Sequence, residues 1–198
     1  MPLSLDRIES VARALCFAVK GKETDRALAI LPLSTLLENI GSVYVPLLAG
    51  ATILVPSPRA LGIQGSSKLD AGKLIRALLE LAPSIVILTP ELLKLFVGLG
   101  TNELLPRSLR FIAVGGAPVS RSLLAKAQKL NLPVFQGYGL SEAASVVALN
   151  IPSANRIGSV GRVLNHYQVK TAEDGEVLIK GTGFPGYLHA CEPEPAEW

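Results

Sequence analysis

The chain has 198 residues, 49% of them hydrophobic and 18% charged, a balance that supports a sizeable core and excludes a disordered polypeptide. Nineteen Lys and Arg against sixteen Asp and Glu give a net charge of +3, with aromatics at 5% and no long run of like charges, so nucleic acid is excluded as the main partner. The length fits one full domain plus part of another and is too short for a complete two-domain enzyme. Residues 171–198 hold six acids against Lys180 alone, which leaves a basic body suited to an anionic small molecule. Cys16 and Cys191 stand far apart, and His166 and His189 are the only imidazoles; zinc sites and multi-histidine mechanisms are excluded, and a reducing, cytoplasmic setting is expected.

Apolar residues at three and four spacing predict a first helix over 5–18, and Asp6, Arg7, Glu9 and Arg13 rule out a signal peptide there. A strand follows at 27–31, then a helix over 35–49 closed at Gly50, and a strand at 51–55. The uncharged stretch between Glu38 and Arg59 has bilayer length, but Gly41, Pro46, Gly50 and Pro56 interrupt it, so no transmembrane segment is expected. Further helices are predicted at 70–81, 90–98 and 120–130, alternating with strands at 84–89, 110–114 and 133–136. Their continuous Val, Ile and Leu runs are those of strands buried on both faces. The expected fold class is α/β, a mainly parallel sheet flanked by helices, over a nucleotide-binding subdomain of residues 1–150. Residues 151–198 read as a short β-rich region, with strands near 168–170 and 176–180 joined at Glu173-Asp174-Gly175. Its Pro- and Glu-rich tail, His189 to Trp198, reads as frayed.

Ligands of open parallel sheets bind at the carboxyl ends of the strands, which directs attention to two loops. Gly115-Gly116-Ala117-Pro118 follows one strand, and its paired glycines allow backbone amides to approach a ligand closely; an ordinary strand-to-helix loop is the alternative. Gln136-Gly137-Tyr138-Gly139-Leu140-Ser141-Glu142 follows the next. An aromatic ring to stack on a base, a hydroxyl to donate to phosphate and a carboxylate to hold Mg²⁺ suit an adenosine phosphate. The plain alternative is a turn with a surface Tyr and a helix capped by Ser141, with Glu142 in its first turn. Gly65 to Lys73 fails the P-loop spacing. Gly139 to Ala143 mimics a nucleophile elbow, with Asp174 and His189 in hydrolase order, but His189 lies in the Pro-flanked tail, a poor place for a triad base.

The stretch Gln136 to Glu142 closely resembles the "QGYGLTE" motif of the AMP-forming acyl-CoA synthetases, members of the adenylate-forming superfamily. Leu31-Pro32-Leu33-Ser34 resembles the family's "LPLxH", Pro46 to Val55 its "PLLAGATVV", and Gly115 to Pro118 its "GGAPL". Gly158 to Gly161 is similar to "GSVGxP", Gly175 to Gly181 to "GEIxxxG" and Gly186-Tyr187 to "GYxxxP", all in family order. The resemblance implies that Tyr138 stacks on adenine and that Gly115, Gly116, Ala117 and Gly137 line the adenine and acyl pockets. Gln136 and Gly139 belong to the same binding set. Ser141 would contact the α-phosphate and Glu142 would bind Mg²⁺, these two being the catalytic candidates.

The implied reaction activates a carboxylic acid, a fatty acid by its apolar helices, with ATP and transfers the acyl group to coenzyme A. The implied partners are a small carboxylate, ATP, CoA and the missing parts of the parent domain, with at most peripheral membrane contact. Ser141 replaces the usual Thr, and Thr35 replaces a His or aromatic beside the acyl site. The Lys-containing phosphate loop, the ribose-binding "TGD" and the small C-terminal domain are not in the sequence; Met1 to Ser4 resembles residues just after the first, Glu197-Trp198 those just before the second. The expectation is an internal fragment of the large domain, catalytically incompetent alone. A non-catalytic nucleotide- or acyl-binding module is the alternative.

Overall fold

The computed structural model describes residues 3–65, 68–181 and 186–187. In chain order, α1 (Leu5–Ala18) precedes β1 (Arg26–Leu28), and α2 (Leu36–Asn39) runs through a π-helical segment, Ile40–Tyr44, into α3 (Val45–Ala49). Then come β2 (Thr52–Leu54), a small hairpin of β3 (Ile63–Gln64) and β4 (Lys68–Leu69), α4 (Ala71–Leu81), β5 (Ile85–Leu88) and α5 (Pro90–Gly98). β6 (Phe111–Val114), α6 (Arg121–Lys129), β7 (Val134–Leu140), a 3₁₀ turn (Ser141–Ala143) and β8 (Ser145–Leu149) follow, then β9 (Arg162–Val163), β10 (Gln168–Thr171) and β11 (Val177–Lys180).

Seven strands form the main sheet in the order β2-β1-β5-β6-β7-β8-β9. The pairs from β2 to β7 are parallel, and β8 and β9 add antiparallel edges. Alternate strand residues serve two cores. Val86, Leu88, Ile112, Val114 and Val134 pack with Leu74 and Leu78 of α4, Leu93 and Phe96 of α5 and Leu123, Leu124 and Ala127 of α6. On the opposite face Ile85, Phe111, Ala113 and Phe135 pack with Val11, Ala12 and Leu15 of α1 and with Ile40 and Val45. Phe111 and Phe135 stack there at 4.4 Å between ring centroids. Two covered faces explain the uninterrupted apolar strands, and the expected α/β class holds.

Helix starts follow their caps. Ser4, Asp70, Thr89 and Ser120 each accept from the amide three residues on, and Pro90 fills the first turn of α5. Gly50, at φ +68°, closes α3 as expected. The hairpin at Glu173-Asp174-Gly175 also forms, with Gln168 opposite Lys180 and Thr171 opposite Val177.

Two expectations, the helix over 35–49 and the loop after Gln136, are corrected, and so is the alternative of a helix capped by Ser141. The helix over 35–49 is interrupted by the π-helical segment. β7 continues to Leu140, carrying the Gly-Tyr-Gly motif as strand rather than loop. Ser141 opens only a three-residue 3₁₀ turn, because Ala144 and Ser145, at φ +49° and +96°, reverse the chain at once into β8. The main sheet also extends beyond Asn150, since β9 pairs with β8. His189, Cys191 and the acidic tail lie outside the described residues. Among the described residues no helix is long and apolar enough to cross a membrane.

Candidate functional site

The connection between β1 and β2 covers one face of the sheet and α4, α5 and α6 cover the other. Crossovers that leave on opposite faces open a crevice at the carboxyl ends of the strands. A cavity of about 340 Å³ is found there. Thr35, Gly115, Gly116, Gly137, Tyr138, Gly139 and Ser141 all line it, so segments a hundred residues apart in sequence share one pocket. An added Cβ on Gly115 would lie 3.7 Å from the Gly137 carbonyl oxygen, so the loop after β6 and strand β7 run in van der Waals contact. Tyr138 is 38% exposed, enough to offer a ring face.

Behind these groups the lining turns apolar, with Leu15 of α1, Val19 just past its end, Val45, Ile85 and Ile87 of β5, and Leu149 of β8. Among the described residues no Lys, Arg, His, Asp or Glu lines it. Gly41, in the π-helical segment, belongs to the wall because its space is taken: a Cβ there would meet Ile87 Cδ1 at 2.4 Å. None of this wall was singled out in the sequence. The stripe through Leu15 and Val19 marks a helix, but only the assembled sheet shows that its end borders a cavity.

The turn Ser141–Ala143 is held from three directions. Arg7, 5% exposed on α1, donates through Nη2 to the Glu142 carbonyl. The Tyr167 hydroxyl donates to the Ala143 carbonyl. The Tyr187 hydroxyl donates to Glu142 Oε1 at 2.6 Å, which holds the Glu142 carboxyl below the usual carboxylate range and raises the phenol in return. An ionised, partly exposed carboxylate fits a Mg²⁺ ligand. Among the described residues no group of three or more His, Cys, Asp or Glu comes together, so a cation at Glu142 would need oxygens from a phosphate and water, the usual habit of Mg²⁺.

Ala117, Gln136 and Glu142 do not line the 340 Å³ cavity. Ala117 is exposed on its loop. The Gln136 carbonyl accepts from the Asn150 amide and from its Nδ2 at 3.0 Å, and Gln136 borders a separate cavity of about 100 Å³.

Residues 6–193 match the family described as AMP-binding enzyme. A 2-succinylbenzoate–CoA ligase of Listeria monocytogenes is 40% identical over 85 residues, 41% of this chain and 18% of that protein. The anthranilate CoA ligase AuaEII in complex with anthranoyl-AMP superposes with a TM-score of 0.82 at 20% identity, over 96% of this chain and 38% of that one. O-succinylbenzoate coenzyme A synthetase from Bacillus subtilis, in complex with ATP and magnesium ion, gives 0.73 at 21% identity, over 90% and 37%. The chain thus spans well under half the length of these relatives, and the two structures share its fold. With nearly every residue inside the family match, the chain belongs to the AMP-binding enzyme family.

Proposed function

We propose that the chain forms the adenylate and acyl pocket of an AMP-forming ligase that activates an apolar carboxylic acid with ATP and passes it to coenzyme A. One observation carries the reading: Gly115, Gly116, Gly137, Tyr138, Gly139, Ser141 and Thr35 meet in a single cavity whose remaining wall, Ser145 apart, is apolar. A carboxylate is a poor electrophile, so it attacks the α-phosphorus of ATP and pyrophosphate leaves. AMP is then the leaving group when the thiol of coenzyme A attacks the acyl carbon.

Tyr138 stacks on the adenine, while Gly115, Gly116 and Gly137 let backbone approach the nucleotide without a side chain intervening. Ser141 donates its hydroxyl to the α-phosphate, and Glu142 supplies a carboxylate for Mg²⁺. The metal neutralises charge on the phosphates. Orientation and charge neutralisation are the protein's share of such a transfer.

The Listeria relative is named for 2-succinylbenzoate, a dicarboxylate, and that name supports a second reading of the substrate. Against it, among the described residues no cation lines the cavity to pair with a second carboxylate, and burying one unpaired is costly; for this described lining an apolar monocarboxylate such as a fatty acid fits better. Calorimetric titration of this chain with dodecanoate and 2-succinylbenzoate is expected to favour dodecanoate by roughly tenfold, about 1.4 kcal/mol. Equal or reversed affinities would replace the fatty acid with the diacid and leave the adenylate assignment standing. Tyr138→Ala is expected to weaken AMP binding by a further factor of about ten; unchanged AMP affinity would remove Tyr138 from the adenine site. Carboxylate-dependent pyrophosphate exchange by this chain is expected at background, because its sequence lacks the Lys-containing phosphate loop; exchange above background would overturn that expectation.

A further inference from the structure

Glu38 lies in α2 with 0% of its surface exposed. Its Oε1 accepts from the Ile30 amide at 2.9 Å, just past β1, and from the Ser42 hydroxyl at 3.1 Å, inside the π-helical segment. Its Oε2 is buried and meets no donor in hydrogen-bonding geometry. One oxygen therefore ties two pieces of chain together, and one of them borders the cavity: Leu36, Leu37, Gly41 and Val45 flank Glu38 in sequence and form part of the wall.

We propose that Glu38 is a positioning residue for this cavity, whose uncharged carboxyl clamps the wall segment 36–45 to the carboxyl end of β1. The role rests on the reading of the cavity as a ligand site. Geometry alone favours the uncharged form, since an ionised carboxylate would hold a bare oxygen in an apolar interior with no cation beside it. Titratable groups on the elements packed against this segment are Asp6, Arg7, Glu9, Arg13 and Cys16 of α1, Arg26 of β1 and Tyr44 of the π-helical segment itself; β5 and β8 bring none. No charge among them acts on the Glu38 carboxyl. Burial pushes it up to about 7, against the opposing pull of the Ile30 amide, the Ser42 hydroxyl and the nearby Leu31 backbone.

Ionisation then loosens the clamp, because the charged carboxyl gains by reaching water and the wall must give to let it. The folding balance has the same sign. A carboxyl raised in the folded state stabilises fully below its unfolded value near 4.5, and that contribution is lost as pH rises through about 7.

The test is binding of 1-dodecanol, an uncharged probe whose own ionisation cannot move with pH, to the whole chain between about pH 6 and 8.5. Wild-type affinity is expected to fall roughly tenfold across that range. Glu38→Gln, which keeps the shape and cannot ionise, is expected to bind with no such fall, and Glu38→Ala to bind weakly throughout. A pH-independent wild type, or a fall retained in Glu38→Gln, overturns the clamp alone. No saturable dodecanol binding at any pH overturns the cavity assignment, and the clamp with it. Should Glu38→Ala fail to fold, the wild-type and Glu38→Gln profiles still decide.

Discussion

Gly139→Ala is expected to destabilise the chain by more than about 3 kcal/mol, or to prevent its folding, as a single added methyl rarely does. At this position β7 and β8 approach so closely that an added Cβ would sit 1.6 Å from the Ser145 carbonyl oxygen and 2.9 Å from the Val146 Cα. Both obstacles are backbone, so no side-chain rotation relieves them. The strand pairing shifts register between Tyr138 and Gly139, at the point where the chain must reverse after Ser141–Ala143. Displacing β8 there would carry Ser145, Val146 and Leu149 out of the cavity wall, so dodecanoate binding should vanish with the stability. Urea midpoints compared with Gly98→Ala decide the matter. Nothing lies within 4 Å of a Cβ on Gly98, at the end of α5, and that change should range from neutral to a gain of about 1 kcal/mol. Equal midpoints for the two variants would refute the close approach.

The parallel part of the sheet was legible because burial on both faces leaves a plain mark: Ile85 to Leu88 and Phe111 to Val114 are apolar at every position, and alternate residues go to opposite cores. Helix starts were legible where a capping side chain precedes an apolar stripe, as at Ser120. β8 carries as strong an apolar run, Ser145 to Leu149, all buried. It was missed because the reversal before it uses Ala144 and Ser145 at positive φ, residues that carry none of the usual Gly, Asn or Pro marking of a turn. Ser141 followed by Glu142 then reads as a helix start. The π-helical segment also has no local signature.

The candidate site divides in the same way. Residues that must present a ring, a hydroxyl or bare backbone stand out as Gly115-Gly116 and Gly137 to Ser141, because such types in such order are unusual at a strand's carboxyl end. The apolar wall does not stand out, since Leu15, Val45, Ile87 and Leu149 have the same composition as any core residue and become a pocket only through packing. Glu38 is the extreme case. Within an amphipathic reading of 35–49 it belongs on a solvated face, and only the path of the π-helical segment against β1 turns it inward.

The anchoring of the strands' amino ends yields the second large expectation. Asp25→Ala is expected to cost about 3–5 kcal/mol, the range for removing one partner of a buried ion pair. Asp25, 3% exposed, stands before β1 and receives Arg110 Nε at 2.8 Å and Nη2 at 2.6 Å. The Ser84 hydroxyl at 2.8 Å and the Lys22 amide at 2.9 Å complete its shell. Arg110 in turn donates to the Val19 and Lys20 carbonyls after α1, so one carboxylate joins the amino ends of β1, β5 and β6 to the first helix. Burial alone would raise the Asp25 carboxyl, but Arg110, Ser84 and Lys22 outweigh it and hold it below its ordinary 3.8. A lowered folded-state value gives stability that is present above the unfolded value and lost as pH falls below it, so the difference between wild type and Asp25→Ala should be full at neutral pH and narrow below about pH 4. The exposed pair Arg13–Glu9 supplies the contrast, with side chains 65% and 53% accessible; Glu9→Ala should change stability by no more than about 0.5 kcal/mol. Denaturation midpoints of the two variants at neutral and acid pH test the comparison. Equal losses, or a gap for Asp25→Ala that widens in acid, would show that the buried carboxylate does not hold the strand ends together.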